Sequence, residues 1–241
     1  MKTVFHAASS RGHANHGWLN AYHTFSFANY FDPERNHFGV LRVLNDDTIA
    51  AGEGFGTHPH DNMEIITIPL AGAIEHKDSM GNSAVIKAGE IQVMSAGTGI
   101  AHSEFNHHAD QSLKLLQIWI FPNKRQVTPR YDQQVLDLAN TQNQFLQILS
   151  PSPDDAGVWI HQNAWFHWGV FSEGMETNYT LKDQANGVYA FVIQGEFDIE
   201  GKVLNARDGF GIWETTAFSV KALAADATIL VMEVPMQLPR I

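Results

Sequence analysis

Cysteine is absent from this chain of 241 residues. Its absence excludes disulfide bonds and thiolate ligands, and it leaves imidazole nitrogens and carboxylate oxygens as the donors for any bound metal. A closed structural zinc site of the usual cysteine-rich kind is therefore disfavoured. A chain without cysteine also fits the reducing cytoplasm, and we expect a cytoplasmic protein.

Long apolar runs and an excess of positive charge are missing as well. No stretch approaches the roughly 20 apolar residues that a membrane-spanning helix needs, and residues 1–17 lack the apolar core of a secretory signal. The chain has 15 Lys and Arg against 26 Asp and Glu, so its formal net charge is −11. Such a balance lacks the basic surface that binds phosphate backbones. We expect neither a membrane nor a direct nucleic-acid partner.

Histidine, by contrast, is frequent, and four candidate metal ligands occur as two close pairs. His58 and His60 form the first pair, and His102 and Glu104 form the second. The spacing i, i+2 places both members of a pair on the same face of an extended strand. Because 13 histidines in 241 residues give roughly 0.7 His-x-His pairs by chance, the pair alone is a weak signal. Two neighbouring strands carrying these pairs could direct four donors at one point.

The residues between the two pairs predict short antiparallel strands. Turn signals fall at Gly72, at Gly81-Asn82 and at Gly89. This spacing is typical of all-β barrels and sandwiches. The predicted strands are Glu64–Leu70, Ala73–Lys77, Ser83–Lys87 and Ile91–Met94.

The same stretch resembles the two-part metal motif of cupin barrels, which here comprises Gly52, His58, His60, Glu64, Gly72, Gly89 and His102. The Thr-His-Pro-His version at 57–60, with Ser-Ala-Gly-Thr-Gly-Ile-Ala-His-Ser-Glu at Ser95–Glu104, resembles the pirin family. The resemblance extends along the whole chain, especially to bacterial pirin-like proteins with quercetin 2,3-dioxygenase activity, whose opening resembles Arg11–Trp18 and Phe25–Tyr30. The resemblance implies an all-β fold of two cupin-type barrels in tandem (a bicupin), with the metal site in the N-terminal barrel.

Composition divides the chain into two halves. We predict an N-terminal metal-binding barrel at 1–121, a linker at 122–143 and a C-terminal barrel at 144–241. Within the linker, Gln133–Ala139 could form a short helix. In the first half, Phe38–Leu44 and Thr48–Glu53 are predicted as strands that flank a turn.

The second half repeats the glycine spacing of the first. The interval from Gly201 to Gly209 equals that from Gly81 to Gly89, and Gly195 precedes them as Gly72 does in the first half. Counting from these glycines places Leu181, Asp183, Ala222 and Ala224 at the four ligand positions. We therefore expect a C-terminal barrel without metal ligands.

Three imidazoles and one carboxylate suit Fe, Mn, Ni, Cu or Zn, and they do not suit Ca or Mg. The resemblance to pirins implies one divalent metal per chain, Fe(II) by default. Two carboxylates are candidates for the fourth metal ligand. Glu64 is an even number of residues from His58 and His60 and would share their face of a strand, whereas Glu104 shares a face with His102. Pirins use the carboxylate at the second position, so we expect the ligands to be His58, His60, His102 and Glu104, with Glu64 orienting an imidazole.

The resemblance implies a metal-dependent dioxygenase that cleaves flavonols such as quercetin with O₂ to a depside and carbon monoxide. In that reaction Glu104 would accept the proton of the 3-hydroxyl group. Phe25, Phe27 and Phe55 are candidates for an apolar slot that holds the flat substrate. The alternative is a metal- or redox-sensing binding module that regulates a protein partner, as eukaryotic pirins are thought to do. A second metal site built from His13, His16 and His23 is conceivable, but their spacing favours solvated or hydrogen-bonded loop histidines. His76 is interpreted as exposed or core.

Overall fold

Antiparallel strands make up almost all of the regular structure, which confirms the predicted all-β class. A computed structural model describes residues 1–238, so the last three residues of the predicted C-terminal barrel lie outside the described part. The strands of the first half are β1 (Lys2–His6), β2 (Gly12–Asn15), β3 (Leu19–His23), β4 (Leu41–Ile49), β5 (Gly54–His60), β6 (Glu64–Ala71), β7 (Ala73–Asp78), β8 (Ser83–Lys87), β9 (Glu90–Ser95), β10 (Ile100–Asn106), β11 (Leu113–Ile120) and β12 (Arg130–Val135).

The second half has the same kind of organisation. Its strands are β13 (Phe145–Ser150), β14 (Val158–Trp159), β15 (Trp165–Phe171), β16 (Glu176–Thr180), β17 (Asn186–Gln194), β18 (Glu196–Ile199), β19 (Lys202–Asn205), β20 (Gly209–Trp213), β21 (Ala217–Ala222) and β22 (Ala227–Pro235). Short 3₁₀ turns occur at Ala8–Ser10 and Leu138–Asn140. No helix in residues 1–238 has the length and hydropathy needed to cross a membrane.

Each half is a sandwich of one seven-stranded and one four-stranded sheet. In the first half the larger sheet has the order β12-β9-β6-β11-β4-β3-β2 and the smaller one β5-β10-β7-β8. In the second half the orders are β1-β20-β17-β22-β15-β13-β14 and β16-β21-β18-β19. The small sheet of the first half therefore contains both strands that carry the candidate ligand pairs.

The two large sheets pack against each other through one apolar cluster. Ile66, Ile68 and Ile118 contribute from the first half, and Phe191 and Leu230 contribute from the second. All five side chains are at most 2% exposed. Strands buried on both faces need a nearly continuous apolar run, which explains sequences such as that of β11. This interface holds the two halves together and leaves the small sheets outermost.

Two strands pair outside the half that their sequence position suggests. β1 pairs with β20, from Lys2 opposite Trp213 to His6 opposite Gly209. β12 lies in the predicted linker but extends the large sheet of the first half by pairing with β9. The domain boundaries at 121 and 144 remain a prediction. A strand from the first half pairs with the second half, and a strand from the linker pairs with the first half.

Two local predictions are wrong, one in the linker and one in the first half. Gln133–Ala139 is not a helix, because Arg130–Val135 pairs with β9 as strand β12. The predicted turn at Asn45–Asp47 is instead the centre of β4, where Asn45 pairs with Gln117 and Asp47 pairs with Leu115. Asn45 and Asp47 are tolerated there because they border a cavity, and Asp46 accepts a hydrogen bond from Arg11 Nη1 at 3.1 Å.

The strand pairing of the first half is repeated in the second half, which confirms the duplication. Counting from the glycines, however, aligns the wrong residues of the two halves. His58 pairs with His102 as Tyr179 pairs with Phe218. Glu104 pairs with His76 as Val220 pairs with Ile199. The positions equivalent to the four candidate ligands are thus Tyr179, Leu181, Phe218 and Val220, two or four residues from those predicted. Gly89 precedes β9 whereas Gly209 lies inside β20, so these glycines are not equivalent.

Apolar side chains fill the interior of the second sandwich. Leu181, Phe218 and Val220 belong to its core cluster, together with the ring of Tyr179. The Tyr179 hydroxyl donates a hydrogen bond to Glu233 Oε2 at 2.9 Å, which satisfies the polar end of the buried ring. The interior of the first sandwich is different, because its equivalent positions are polar and border a cavity.

Candidate metal centre

Strand pairing brings the two predicted ligand pairs together. β5 and β10 are neighbours in the small sheet, with His58 opposite His102 and His60 opposite Ile100. The imidazole centroids of His58 and His102 are 4.4 Å apart, and that of His60 is 4.9 Å and 5.0 Å from them. One nitrogen from each ring lies within 4.8 Å of the other two, a separation that one ion can bridge. The three predicted histidines thus meet at one point.

Hydrogen bonds fix which nitrogen two of the rings present, those of His58 and His102. His58 Nδ1 donates to the Gly56 carbonyl at 2.8 Å, so Nε2 is left to accept a metal. His102 Nδ1 lies 3.5 Å from His76 Nδ1. The opposite nitrogen, His102 Nε2, is buried and has no hydrogen-bond partner in residues 1–238. A buried nitrogen without a partner carries an energetic penalty that a metal bond would remove, so these residues fit a divalent transition metal.

The local electrostatics keep two of the imidazoles neutral, those of His60 and His102. Burial, followed by the neighbouring imidazoles, lowers the pKa of His60 to about 4 and that of His102 to about 3. Both rings therefore hold a free lone pair at neutral pH. A neutral imidazole is the form that binds a metal.

Glu104 borders the same cavity but is held slightly apart from the histidines. Gln117 Nε2 donates to both of its carboxylate oxygens, at 2.9 and 2.8 Å, and Thr67 Oγ1 donates at 3.3 Å. Its ligand oxygen groups with His76 and His102, not with the set of His58, His60 and His102. Burial raises the pKa of Glu104, and the hydrogen bond from Gln117 opposes that rise. The four predicted ligands thus share one cavity, with the carboxylate anchored on its wall.

The structure does not bring Glu64 to the site. β5 ends at His60, and Asn62 adopts a left-handed φ of 44° before β6 begins, so the parity of β5 does not continue. In β6 it is Ile65 that borders the cavity, while Glu64 accepts a hydrogen bond from Ser95 Oγ at 2.6 Å. The expectation that Glu64 orients a ligand imidazole is therefore wrong.

The candidate ligands open on a small, partly aromatic cavity of about 190 Å³. Phe27, Phe55 and Trp119 form its apolar walls, and Asp47 and Gln117 are among its polar ones. Two of the three predicted slot residues are thus in place. The third, Phe25, is 1% exposed and packs in the core between the two halves, against Tyr189.

A second chamber of about 480 Å³ adjoins this cavity, and Phe27 and Phe55 border both. Its walls include His13, His16 and His23. His13 Nε2 bonds Asn20 Oδ1 at 2.6 Å and His23 Nδ1 bonds Asn45 Oδ1 at 2.9 Å, as the prediction of hydrogen-bonded histidines requires. The two residues lie in β2 and β3, however, and not in loops as predicted. On the opposite side of the cavity, His60 and Trp119 also border a more open groove of about 630 Å³.

Sequence reasoning missed the polar residues that surround Glu104. Gln117 interrupts the apolar run of β11. A polar residue in the middle of a buried strand could have indicated that this position faces a polar partner in a site. Asp47 was assigned to a turn, yet it is 3% exposed and borders the cavity. Burial, followed by the charges of Asp46 and Glu104, raises the pKa of Asp47 to about 8. His76, expected to be an exposed or core residue, is fully buried beside His102.

Comparison with known proteins shows which family the chain belongs to. Residues 4–120 match the family model Pirin, and residues 147–234 match a model described as the quercetinase C-terminal cupin domain. The chain is 44% identical over 229 residues to the quercetin 2,3-dioxygenase of Escherichia coli (strain K12), covering 95% of this chain and 96% of that protein. The chain belongs to the pirin family. Its two halves are the two cupin domains that the family resemblance implied.

Further relatives of this pirin show the same whole-chain correspondence. A pirin-like protein of Caulobacter vibrioides is 39% identical over 221 residues, covering 91% of this chain and 94% of the relative. The crystal structure of the bacterial pirin YhhW from Escherichia coli in complex with nickel(II) superposes with a TM-score of 0.91 at 42% identity, covering 97% and 99% of the two chains. The three imidazoles of this pirin likewise suit a divalent transition metal.

Proposed function

We propose that this pirin is a metal-dependent dioxygenase that cleaves flavonols such as quercetin with O₂ to a depside and carbon monoxide. The observation that carries the proposal is a cavity bordered by three convergent imidazoles, a buried carboxylate and aromatic walls. The whole-chain likeness to quercetin 2,3-dioxygenase supports it. The reaction is balanced, because the two oxygen atoms of O₂ enter the products as one ring carbon leaves as carbon monoxide.

His58, His60 and His102 would hold the ion through one nitrogen each, with Glu104 as the fourth ligand. Fe(II) is the proposed metal, and Mn, Ni, Cu and Zn suit the same donors. When bound, such an ion acts as a Lewis acid that stabilises negative charge on a substrate oxygen. The neutral state of His60 and His102 lets these two imidazoles bind the ion without first losing protons.

Glu104 is the proposed general base. It takes the proton of the flavonol 3-hydroxyl group onto one carboxylate oxygen, leaving the substrate as its enolate. Burial raises the pKa of this carboxyl, which makes its ionised form a stronger proton acceptor than an exposed glutamate. Gln117 donates to both oxygens and so fixes the carboxylate in place while it holds the proton.

The substrate must extend beyond the metal cavity. Pockets for drug-sized ligands typically measure about 300–1,000 Å³, and this cavity measures only about 190 Å³. The adjoining chamber of about 480 Å³ supplies the missing space, and Phe27 and Phe55 stand between the two. We propose that the enol end of the flavonol occupies the cavity and that a more distant ring passes between these phenylalanines.

The test is consumption of O₂ and release of carbon monoxide by the iron-loaded protein with quercetin, in a one-to-one ratio. The corresponding flavone without a 3-hydroxyl group has no acidic proton for Glu104 and should not react. If loaded protein consumes no O₂ with quercetin, the dioxygenase proposal fails and the metal- or redox-sensing module takes its place. Its protein partner, the cytoplasmic location and the domain division at 1–121, 122–143 and 144–241 stay predictions.

A further inference from the structure

His76 lies directly behind His102, on the side away from the cavity. β7 pairs with β10 so that His76 is opposite Glu104 and Asp78 is opposite His102. The imidazole centroids of His76 and His102 are 5.3 Å apart. His76 is 0% exposed, and it is not among the residues that border the metal cavity.

Both nitrogens of His76 have partners, which fixes its tautomer. Nε2 lies 3.1 Å from Asp78 Oδ2. A carboxylate can only accept, so this nitrogen carries the hydrogen and donates it. In the neutral ring the other nitrogen, Nδ1, is then an acceptor, and it lies 3.5 Å from His102 Nδ1. His102 must therefore donate from Nδ1, which leaves its buried Nε2 with a free lone pair directed away from His76.

Asp78 is itself fixed by three donors. Asn82 donates from Nδ2 at 2.8 Å to Asp78 Oδ2, and from its backbone N–H at 3.1 Å to Oδ1. The Met80 N–H donates to Oδ1 at 2.9 Å. The Asp78 side chain is 0% exposed. The His76 ring also packs against the ring of Tyr131, with centroids 4.9 Å apart. The turn after β7 thus holds a carboxylate at a fixed point behind the imidazole pair.

We propose that Asp78 and His76 are positioning residues that hold His102 in the tautomer and orientation in which Nε2 binds the metal. The proposal rests on the proposed metal site. A hydrogen bond accepted from the far nitrogen of a ligand imidazole orients its ring and increases the basicity of the bound nitrogen. The ligand oxygen of Glu104 also groups with His76 and His102, so His76 as a further ligand is the competing assignment. The engagement of both its nitrogens argues for positioning instead.

The experiment compares nickel(II) affinity in the full-length protein, measured by competition with a chelator. Replacing His76→Phe keeps a ring in the space but removes the acceptor, and we expect affinity to fall about 10–100-fold. His76→Asn keeps an acceptor near the position of Nδ1 and should recover part of that loss. Asp78→Asn, a nearly isosteric change, should also weaken binding. His102→Ala removes a ligand and should weaken it far more than any of these.

A matched control is His167→Phe. His167 is also buried, at 6% exposed, and bonds the Tyr179 hydroxyl at 3.1 Å, but it lies in the second half. Its replacement should leave nickel affinity unchanged. Thermal unfolding of each metal-free variant shows that it is folded before its affinity is compared, and the ligand-field absorption of bound nickel reports on the ligand set independently of stability.

Folded His76→Phe with wild-type nickel affinity and absorption would overturn the proposal. So would a loss as complete as that of His102→Ala with an absorption spectrum showing one ligand fewer, because His76 would then be a ligand. Since the readout is metal binding, failure of quercetin turnover in the wild-type protein would defeat the proposed reaction and leave this result intact.

Discussion

His58 and His102 face each other across the pairing of β5 and β10, with ring centroids 4.4 Å apart. The two residues are 44 positions apart in the sequence, yet their strands are immediate neighbours in the small sheet. The i, i+2 spacing then carries His60 to the same face as His58. A rigid pair of strands, rather than a loop, therefore sets the geometry of the three imidazoles.

Removing one imidazole should remove tight metal binding without unfolding the protein. We expect His60→Ala to lose stoichiometric metal, because His60 supplies one of three convergent nitrogens, while its half-buried position limits the packing loss. Elemental analysis after dialysis and the circular dichroism spectrum check the two parts. Retention of one metal per chain in the variant would show that His60 is not a ligand.

Replacing the proposed base should slow turnover even where metal is retained. We expect Glu104→Gln to lower kcat with quercetin by about 10²–10⁴-fold, the usual contribution of a general base. Glu64→Gln is the matched control, since Glu64 is as deeply buried but bonds Ser95 outside the cavity. Rates are compared per bound metal. If Glu64→Gln strips the metal and Glu104→Gln does not, the choice between these two carboxylates is wrong.

The stability of the metal-free protein should carry a pH dependence that comes from Asp47. Burial raises its pKa from 3.8 to about 8, so between these values the folded state binds more protons than the unfolded state. The free energy of unfolding should therefore fall as pH rises through this window. Asp47→Asn cannot titrate and should show a smaller fall. Urea unfolding at several pH values measures the difference, and parallel curves for the two proteins would contradict the assignment.

A bulky side chain in the chamber that adjoins the metal cavity should raise KM for large substrates and leave that for small ones unchanged. Ala14 borders the chamber, and Ala14→Trp should raise KM for quercetin by occupying the space proposed for its distant ring. Thr98→Trp, in the open groove on the other side of the cavity, is the control and should have little effect. A small enolisable substrate without further rings should react equally well with both variants. A larger effect of Thr98→Trp on quercetin would place the substrate in the groove.

The all-β class could be predicted from local patterns, and the meeting of the three histidines could be predicted from local patterns together with the family resemblance. Alternation and turn glycines define short strands, and the i, i+2 pairs define a face within one strand. The partner of each strand is not encoded locally. β1 pairs with β20 some two hundred residues away, and no pattern within Lys2–His6 identifies that partner.

Predictions based on the alternation of side chains along a strand, or on counting residues, failed beyond the end of that strand. Glu64 was expected to share the face of His58, but the left-handed residue Asn62 resets the direction of the chain between β5 and β6. Similarly, Gly209 was matched to Gly89 although one lies in a strand and the other in a turn. The role of Asp47 in lining the cavity was not predicted for a related reason. A buried polar residue within a strand has the same local sequence pattern as a turn.

The central claim is that a single metal in the N-terminal cavity supports flavonol cleavage. It is tested most directly by titrating Fe(II) into metal-stripped protein while following both bound iron and O₂ consumption with quercetin. The rate should rise in proportion to bound iron and reach its plateau at one ion per chain. A rate independent of bound metal, or one that continues to rise to a second equivalent, would contradict the account.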